Sequence, residues 1–366
     1  MQHQIRRVLA GPRAAIEYEI VEPPSHVHDP PAVVFIAGLG NHRTIWNFQR
    51  AHFSQTHALL FVDNRGIGRS GSPPGWWSVG DHAYDVLHVI RHINWHAGRP
   101  LHLVGHSFGG LVCYELMVLC RTSAQDVNVA SLALVGCSVC TSICSLRPSG
   151  ICKTAALLVA CDMQALLNAS LALNYPSEWL DRRAFDGGAG TNAEAVVRFL
   201  LTILRGRERV PSVSWAKQVA AVVSYIPSAL PGPTMGADGV AAPCGAADAL
   251  APPRSLVLCG AEDELHGMDS LNSTVARLGE RSRLVILQGA GHNCFVQQPD
   301  LVNQALASHF AADRAEPSHD DGFVRDAPGS VDAHSLAQPQ APPSTDHNRT
   351  ISGSGQASNS CSRALW

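Results

Sequence analysis

Three residues of the kinds that acyl-transfer chemistry needs occur in the order Ser107, Asp263, His292. A serine hydroxyl is a poor nucleophile near neutral pH. It needs an imidazole to take its proton, and a carboxylate to fix the imidazole's tautomer and balance its charge. Ser107 lies in Gly105-His106-Ser107-Phe108-Gly109, Asp263 ends Gly260-Ala261-Glu262-Asp263, and His292 ends Gly289-Ala290-Gly291-His292. A Gly-x-Ser-x-Gly pentapeptide arises by chance in about one chain in ten of this length, so the elements around it must carry the argument. Glu262 and Glu264 adjoin Asp263 and have the same chemistry; position favours Asp263.

Those elements read as alternating strands and helices. Apolar runs at 32–36, 58–62, 101–104 and 131–135 suit strands buried on both faces, as in a parallel sheet covered by helices. Between the second and third, Val86, Val89, Ile90 and Ile93 recur at helical spacing within 81–96. The grammar resumes with strands at 255–259 and 284–287 and helices at 268–278 and 301–312. Ser107 thus follows a strand and precedes a helical run at 110–120, the setting of an exposed nucleophile on a tight turn. Asp263 and His292 each stand just past a later strand, so all three converge on the carboxyl edge of one sheet, where open α/β folds bind ligands.

The predicted organisation is a core from 1–137 and 254–313, interrupted by a helical cap and a Pro/Gly/Ala-rich loop over 138–253, with a disordered tail at 314–366 whose composition is polar and poor in large apolar residues. Of the 366 residues 46% are apolar and 16% charged, and 25 Arg with 2 Lys face 30 acidic residues for a net charge of -3. That composition excludes a polyelectrolyte and gives no basic field for nucleic acid. No apolar run is long enough for a transmembrane segment, and the first twenty residues hold no signal core, which favours a cytoplasmic location. The 11 cysteines read as reduced core thiols. Cys137, Cys140, Cys144 and Cys152 match no common zinc spacing, so no metal is expected.

Five ordered marks give the chain a likeness to a known family: Ala37-Gly38-Leu39-Gly40, the run Asp63 to Ser70, the serine turn, Gly260 to Asp263, and Gly291-His292. Over roughly 14–312 the chain resembles the α/β-hydrolase family, in its branch with a helical cap. The resemblance implies a doubly wound, mostly parallel eight-stranded sheet, no cofactor, a small-molecule substrate, and an oxyanion hole formed by the backbone N–H groups of Leu39 and Phe108. Relatives commonly carry His at the position of Ala37 and often Glu at that of Gln297, so the oxyanion loop here lacks a side chain that braces it in many of them.

The expected activity is cleavage of a carboxylic ester-type bond through an acyl-enzyme on Ser107. The low charge of 151–173 suits an apolar pocket wall and a lipophilic substrate. Alternatives are aminopeptidase, thioesterase or acyltransferase action at the same residues, or a ligand receptor on the same fold. An aminopeptidase would need acidic groups for the substrate's ammonium, and Asp162, Glu178 and Asp181 are the nearest candidates. The Asp63 to Ser70 run reads as a tight turn held by Arg65 and Asp63 rather than as a phosphate loop. Trp76 and Trp77 suit an entrance or packing, and Arg198, Arg205, Arg207 and Arg209 a solvated face.

Overall fold

Strands buried on both faces dominate the centre of the molecule. In the computed structural model, which describes residues 2–10, 14–96, 98–140, 147–159, 162–204, 212–230, 252–311 and 331–332, the runs expected at 32–36 and 58–62 form β3 (Ala32–Ile36) and β4 (Ala58–Val62) without a shift of boundary. β5 (Leu101–His106), β6 (Val129–Val135), β7 (Arg254–Gly260) and β8 (Ser282–Leu287) extend the expected runs by one to two residues at their ends. The sheet order is β1-β2-β4-β3-β5-β6-β7-β8, with a two-residue β9 (Val331–Asp332) beside β8. From β4 onward every pairing is parallel. Apart from β9, the stretch expected as a tail lies outside the described residues, as does 231–251 of the expected Pro/Gly/Ala-rich loop.

An antiparallel hairpin, β1 (Gln2–Ala10) and β2 (Ala14–Glu22), forms the opposite edge. No strand is anticipated there from sequence, although Ile16, Tyr18 and Ile20 alternate with Glu17 and Glu19, a period-2 pattern. The apolar set enters one core layer.

Alternation along each strand splits the core into two layers. Val34, Leu103, Leu132 and Val257 face α2 (Val79–His92), α3 (Phe108–Thr122) and α9 (Met268–Leu278). Val33, Val104, Ala133 and Leu256 face α1 (Asn47–Phe53), α10 (Cys294–Gln297) and α11 (Pro299–Ala311). Between β6 and β7 the chain leaves the sheet for α4 (Pro148–Val159), α5 (Met163–Asn174), α6 (Ser177–Leu180), α7 (Asn192–Leu204) and α8 (Ser212–Val223). No helix among the described residues is long and apolar enough to cross a membrane.

Candidate active site

β5 is buried along its whole length and delivers the chain into a forced turn. Ser107 has φ 51° and ψ -120°, a region that a residue with a Cβ rarely enters and that costs about 1–3 kcal/mol. The surroundings hold it there. Its N–H is donated to the Val135 carbonyl of β6 at 2.9 Å, and its own carbonyl accepts from Gly110 N–H at 2.8 Å as α3 begins. Glycine is required at Gly105 and Gly109, because a Cβ on the first would strike the Gly109 carbonyl and one on the second the Ile36 carbonyl. The turn is therefore pressed backbone to backbone against β3, and Ser107 is left half-buried at the carboxyl edge.

Asp263 and His292 leave adjacent strands. β7 and β8 pair in parallel, and Gly260 N-terminal to the acid lies so close to the Ala290 and Gly291 carbonyls that no side chain fits. The loops meet where Asp263 Oδ2 stands 2.8 Å from His292 Nδ1, with the carboxylate fully buried. Asp263 Oδ1 also accepts from the Leu265 and His266 N–H groups at 2.7 and 3.2 Å, and Oδ2 from the Cys259 thiol at 3.2 Å. Burial alone would raise the carboxyl's pKa, but the His292 imidazole beside it and these hydrogen bonds hold it well below the usual carboxylate range. An ionised Asp263 can only accept, so Nδ1 of His292 carries the proton and Nε2 is left as a base. Two further imidazoles pack at a tilt around the pair: His106, 4.8 Å from the His292 ring, and His266, 5.8 Å from it. Burial pushes both down, His266 to about 4, so both stay neutral near pH 7.

Leu39 lies in the loop after β3 and Phe108 is the first residue of α3; β3 and β5 run side by side with Ile36 opposite Gly105. As a first-turn residue Phe108 has no intrahelical acceptor for its N–H. In the loop Ala37-Gly38-Leu39-Gly40, the Ala37 carbonyl accepts from Asn64 Nδ2 at 3.1 Å, and Gly38 packs on the buried His106 ring. The helical insertion touches the loops after β3, β7 and β8 at this edge. Asn174 at the end of α5 accepts from Asn293 N–H at 3.1 Å, Tyr175 OH from Asn293 Nδ2 at 3.1 Å, Lys153 pairs with Glu264 at 2.7 Å, and Gln218 of α8 reaches Gly40.

With a strained serine between strand and helix and a buried acid–imidazole pair beyond later parallel strands, the comparison with known sequences is decisive: the model of the alpha/beta hydrolase family matches residues 33–305. The chain belongs to the alpha/beta hydrolase family. Among curated relatives, the provisionally named carbamate hydrolase RutD of Variovorax paradoxus (strain S110) is 31% identical over 173 residues, 46% of this chain and 59% of that protein. The match to that protein thus spans under two thirds of its length. The protein of the same name from Klebsiella pneumoniae subsp. pneumoniae is 26% identical over 77% of this chain and 92% of its own. Solved structures share the fold: a thermophilic esterase from Thermogutta terrifontis aligns with TM-score 0.61 at 19% identity over 85% of this chain and 99% of its own, and the enol-lactonase from Burkholderia xenovorans LB400 with TM-score 0.60 at 18% identity over 84% and 100%.

Other residues singled out in the sequence resolve differently within this hydrolase fold. Arg65 does not pair with Asp63: its guanidinium reaches α2 and takes Asp85 at 2.6 and 2.7 Å, while its backbone follows the turn. Asp63 is held instead by Arg43, through the Arg43 N–H at 2.8 Å and a guanidinium ion pair, with His42 Nε2 at 2.9 Å. The physical reason is the β1–β2 edge: Glu17 and Glu19 add their carboxylates to the same Arg43, at 2.9 and 3.2 Å. Donor atoms of Glu17, His42 and Asp63 lie within 4.8 Å of one another, close enough for a metal, but the Arg43 guanidinium already occupies both carboxylates as their ion-pair partner.

Glu264 faces Lys153 and Ser149, and Glu262 is exposed, so neither meets His292. Asp162 caps α5 through Ala165 N–H at 2.8 Å, and Glu178 and Asp181 are exposed. Trp77 is buried beneath Lys217, whereas Trp76 is exposed. Arg198 pairs with Asp186 at 3.0 Å; Arg205, Arg207, Arg209 and Cys144 lie outside the described residues. Sequence reading overlooks His266, Cys259 and Gln218. The first sits three residues after Asp263, a spacing that brings its N–H back to the carboxylate; nothing in the spacing of the other two signals the site.

Proposed function

We propose that this alpha/beta hydrolase cleaves carboxylic ester-type bonds of a small, lipophilic substrate through an acyl-enzyme on Ser107. The observation that carries the reading is the 2.8 Å contact between the buried, ionised Asp263 and His292 Nδ1, which leaves Nε2 as the base for the strained serine turn. In the reaction His292 takes the Ser107 proton as Oγ attacks the carbonyl carbon. The N–H groups of Leu39 and Phe108 receive the developing oxyanion, and Asp263 balances the imidazolium. His292 then gives the proton to the departing alcohol. Water, deprotonated by the same imidazole, releases the acid and restores Ser107.

The lipophilic preference rests on 151–173, which spans α4 and α5 with only Lys153 and Asp162 charged. A carbamate is the second reading, favoured by the name of the RutD relatives; it presents the same carbonyl to the same nucleophile. Labelling by a fluorophosphonate probe tests the shared step. Wild type is expected to label, and Ser107→Ala and His292→Ala are not; a well-folded wild type that stays unlabelled contradicts the proposal. Hydrolysis rates on matched p-nitrophenyl esters of increasing acyl length, aryl carbamates, thioesters and aminoacyl anilides then separate the substrate classes.

A further inference from the structure

The oxyanion loop is held from outside the sheet by one side chain of the insertion. Gln218 is fully buried in α8, and its amide bridges two core loops: Oε1 accepts the Gly40 N–H at 3.0 Å and Nε2 donates to the Arg65 carbonyl at 3.1 Å. Both ends of the amide are satisfied in this one orientation, so the side chain acts as a strut and not as loose packing. Gly40 has φ 70°, and Trp215, one turn back on α8, covers the space where a Cβ would stand, with Cδ1 at 3.1 Å. The same helix is pinned along the loop after β4 by Ser214 Oγ to Ser72 Oγ at 2.8 Å and Lys217 Nζ to the Pro73 carbonyl at 2.8 Å.

The Gly40 N–H lies in the peptide plane that also holds the Leu39 carbonyl. Fixing that plane limits rotation of Leu39 and so the direction of the Leu39 N–H in the preceding plane. At the other end of the loop Asn64 fixes the Ala37 carbonyl. Two amide side chains therefore clamp a loop in which Ala37 offers only a methyl group. From this geometry we infer that Gln218 is a positioning residue that keeps the Leu39 N–H aimed at the oxyanion. This rests on the proposed serine-hydrolase reading, and it gives one side chain of α8, not the helix as a whole, a part in the catalytic geometry.

The test compares Gln218→Met, near in size but unable to make either hydrogen bond, with Ser214→Ala, which loosens α8 at a point away from the oxyanion loop. Hydrogen exchange of the peptide spanning 37–41 and steady-state kinetics on an ester whose turnover is abolished by Ser107→Ala are measured on the full chain. Removing one oxyanion donor outright costs about 100- to 1000-fold in kcat, so misaiming one should cost about 10- to 100-fold. Gln218→Met is expected to show faster exchange at 37–41 and a kcat lower by that factor with KM within about threefold. Gln218→Glu, which when buried and protonated restores an acceptor and a donor, should recover most of the loss; Ser214→Ala should match wild type in both readouts. Unchanged exchange in Gln218→Met, or a loss carried by KM, or an equal loss in Ser214→Ala, overturns the role. If exchange rises in Gln218→Met while wild type shows no Ser107-dependent turnover, it is the hydrolase reading that fails, and the catalytic role falls with it.

Discussion

Asp63 and Asp263 are the same kind of residue in the same kind of place. Each follows the carboxyl end of a parallel strand, each is fully buried, and each faces an imidazole, His42 at 2.9 Å and His292 at 2.8 Å. Their partners differ. Around Asp63 stands Arg43, a permanent cation shared with Glu17 and Glu19; among the described residues no guanidinium pairs with Asp263, and its counter-group is an imidazole whose second nitrogen faces away from the carboxylate. A charge that never leaves makes a joint between the β1–β2 hairpin and the turn after β4. In the proposed reaction, a charge that forms only when a proton moves makes a base. Position at a strand end is therefore insufficient to mark a catalytic carboxylate; the chemistry of its partner decides.

The largest effect expected is on Asp263. Asp263→Asn keeps the size and can still bond Leu265 N–H, but it presents an amide to His292 and favours the tautomer with Nε2 protonated. Activity should fall about 10³- to 10⁴-fold, as for loss of the same role in other serine hydrolases, with the fold retained. Rates of fluorophosphonate labelling alongside thermal unfolding would check this. A loss of less than tenfold would place Asp263 with Asp63 as a structural residue.

Asp63→Asn should do the reverse. It leaves Arg43 with two carboxylates instead of three in a nearly dry site, where breaking a buried pair costs about 3–5 kcal/mol; Glu17 and Glu19 keep the loss toward the lower end. Urea unfolding should show a drop of about 3 kcal/mol on that basis, while the labelling rate of the folded protein stays within about threefold of wild type. A collapse of labelling without a loss of stability would erase the contrast between the two sites.

Acid should distinguish Asp263 from the buried imidazoles of the same fold. A carboxylate held below its usual range contributes stability that is present above its unfolded pKa, about 4, and is lost only as pH falls through its lower folded value. Asp263 is of this kind, so it contributes nothing to instability between pH 6.5 and 4. Buried His266 and His82 behave oppositely. Burial lowers them from 6.5 to about 4 and about 3, so the unfolded chain binds protons first and stability falls as pH drops below 6.5. For each the loss by pH 4 is on the order of 3 kcal/mol. Among the described residues neither ring nitrogen of His82 has a hydrogen-bond partner, and the ring lies against Phe108 at 4.8 Å and Trp77 at 5.9 Å. His82→Met should therefore match or exceed wild-type stability at pH 8 and show a shallower fall towards pH 4 in urea unfolding. An unchanged slope would assign the acid sensitivity elsewhere.

Legibility in the sequence followed the physics of burial. Strands covered on both faces are written as continuous apolar runs, so β3 and β4 are placed to the residue, and the glycines around Ser107 and Gly260 mark backbone contacts that admit no Cβ. The hairpin β1–β2 is harder to read because it lies at an edge, where Ile5 and Leu9 stay exposed and the acidic face of β2 serves an ion-pair network. Ion pairing is hard to read for a related reason: Arg65 and Asp63 are two residues apart, but the turn sends the first toward α2 and the second toward Arg43, and sequence distance carries no such direction. Gln218 is 178 residues from the amide it holds, so no local pattern could announce it.

The smallest effect concerns the carboxylate beside Asp263. Glu264 adjoins Asp263, and by type alone it could serve His292 as well. Its side chain turns outward, accepting from Ser149 Oγ at 2.5 Å and pairing with Lys153 at 2.7 Å, and these contacts hold its carboxyl below the usual range. Both partners are a third exposed, and pairs of that kind contribute about 0–1 kcal/mol. Glu264→Gln keeps an acceptor for Ser149 and should change stability by less than about 1 kcal/mol and labelling by less than twofold. Because Lys153 belongs to α4, any larger effect should appear in KM through a displaced insertion rather than in kcat. A fall in kcat approaching that of Asp263→Asn would mean that the acid role is shared between neighbours, and that the outward rotamer of Glu264 is not the one the reaction uses.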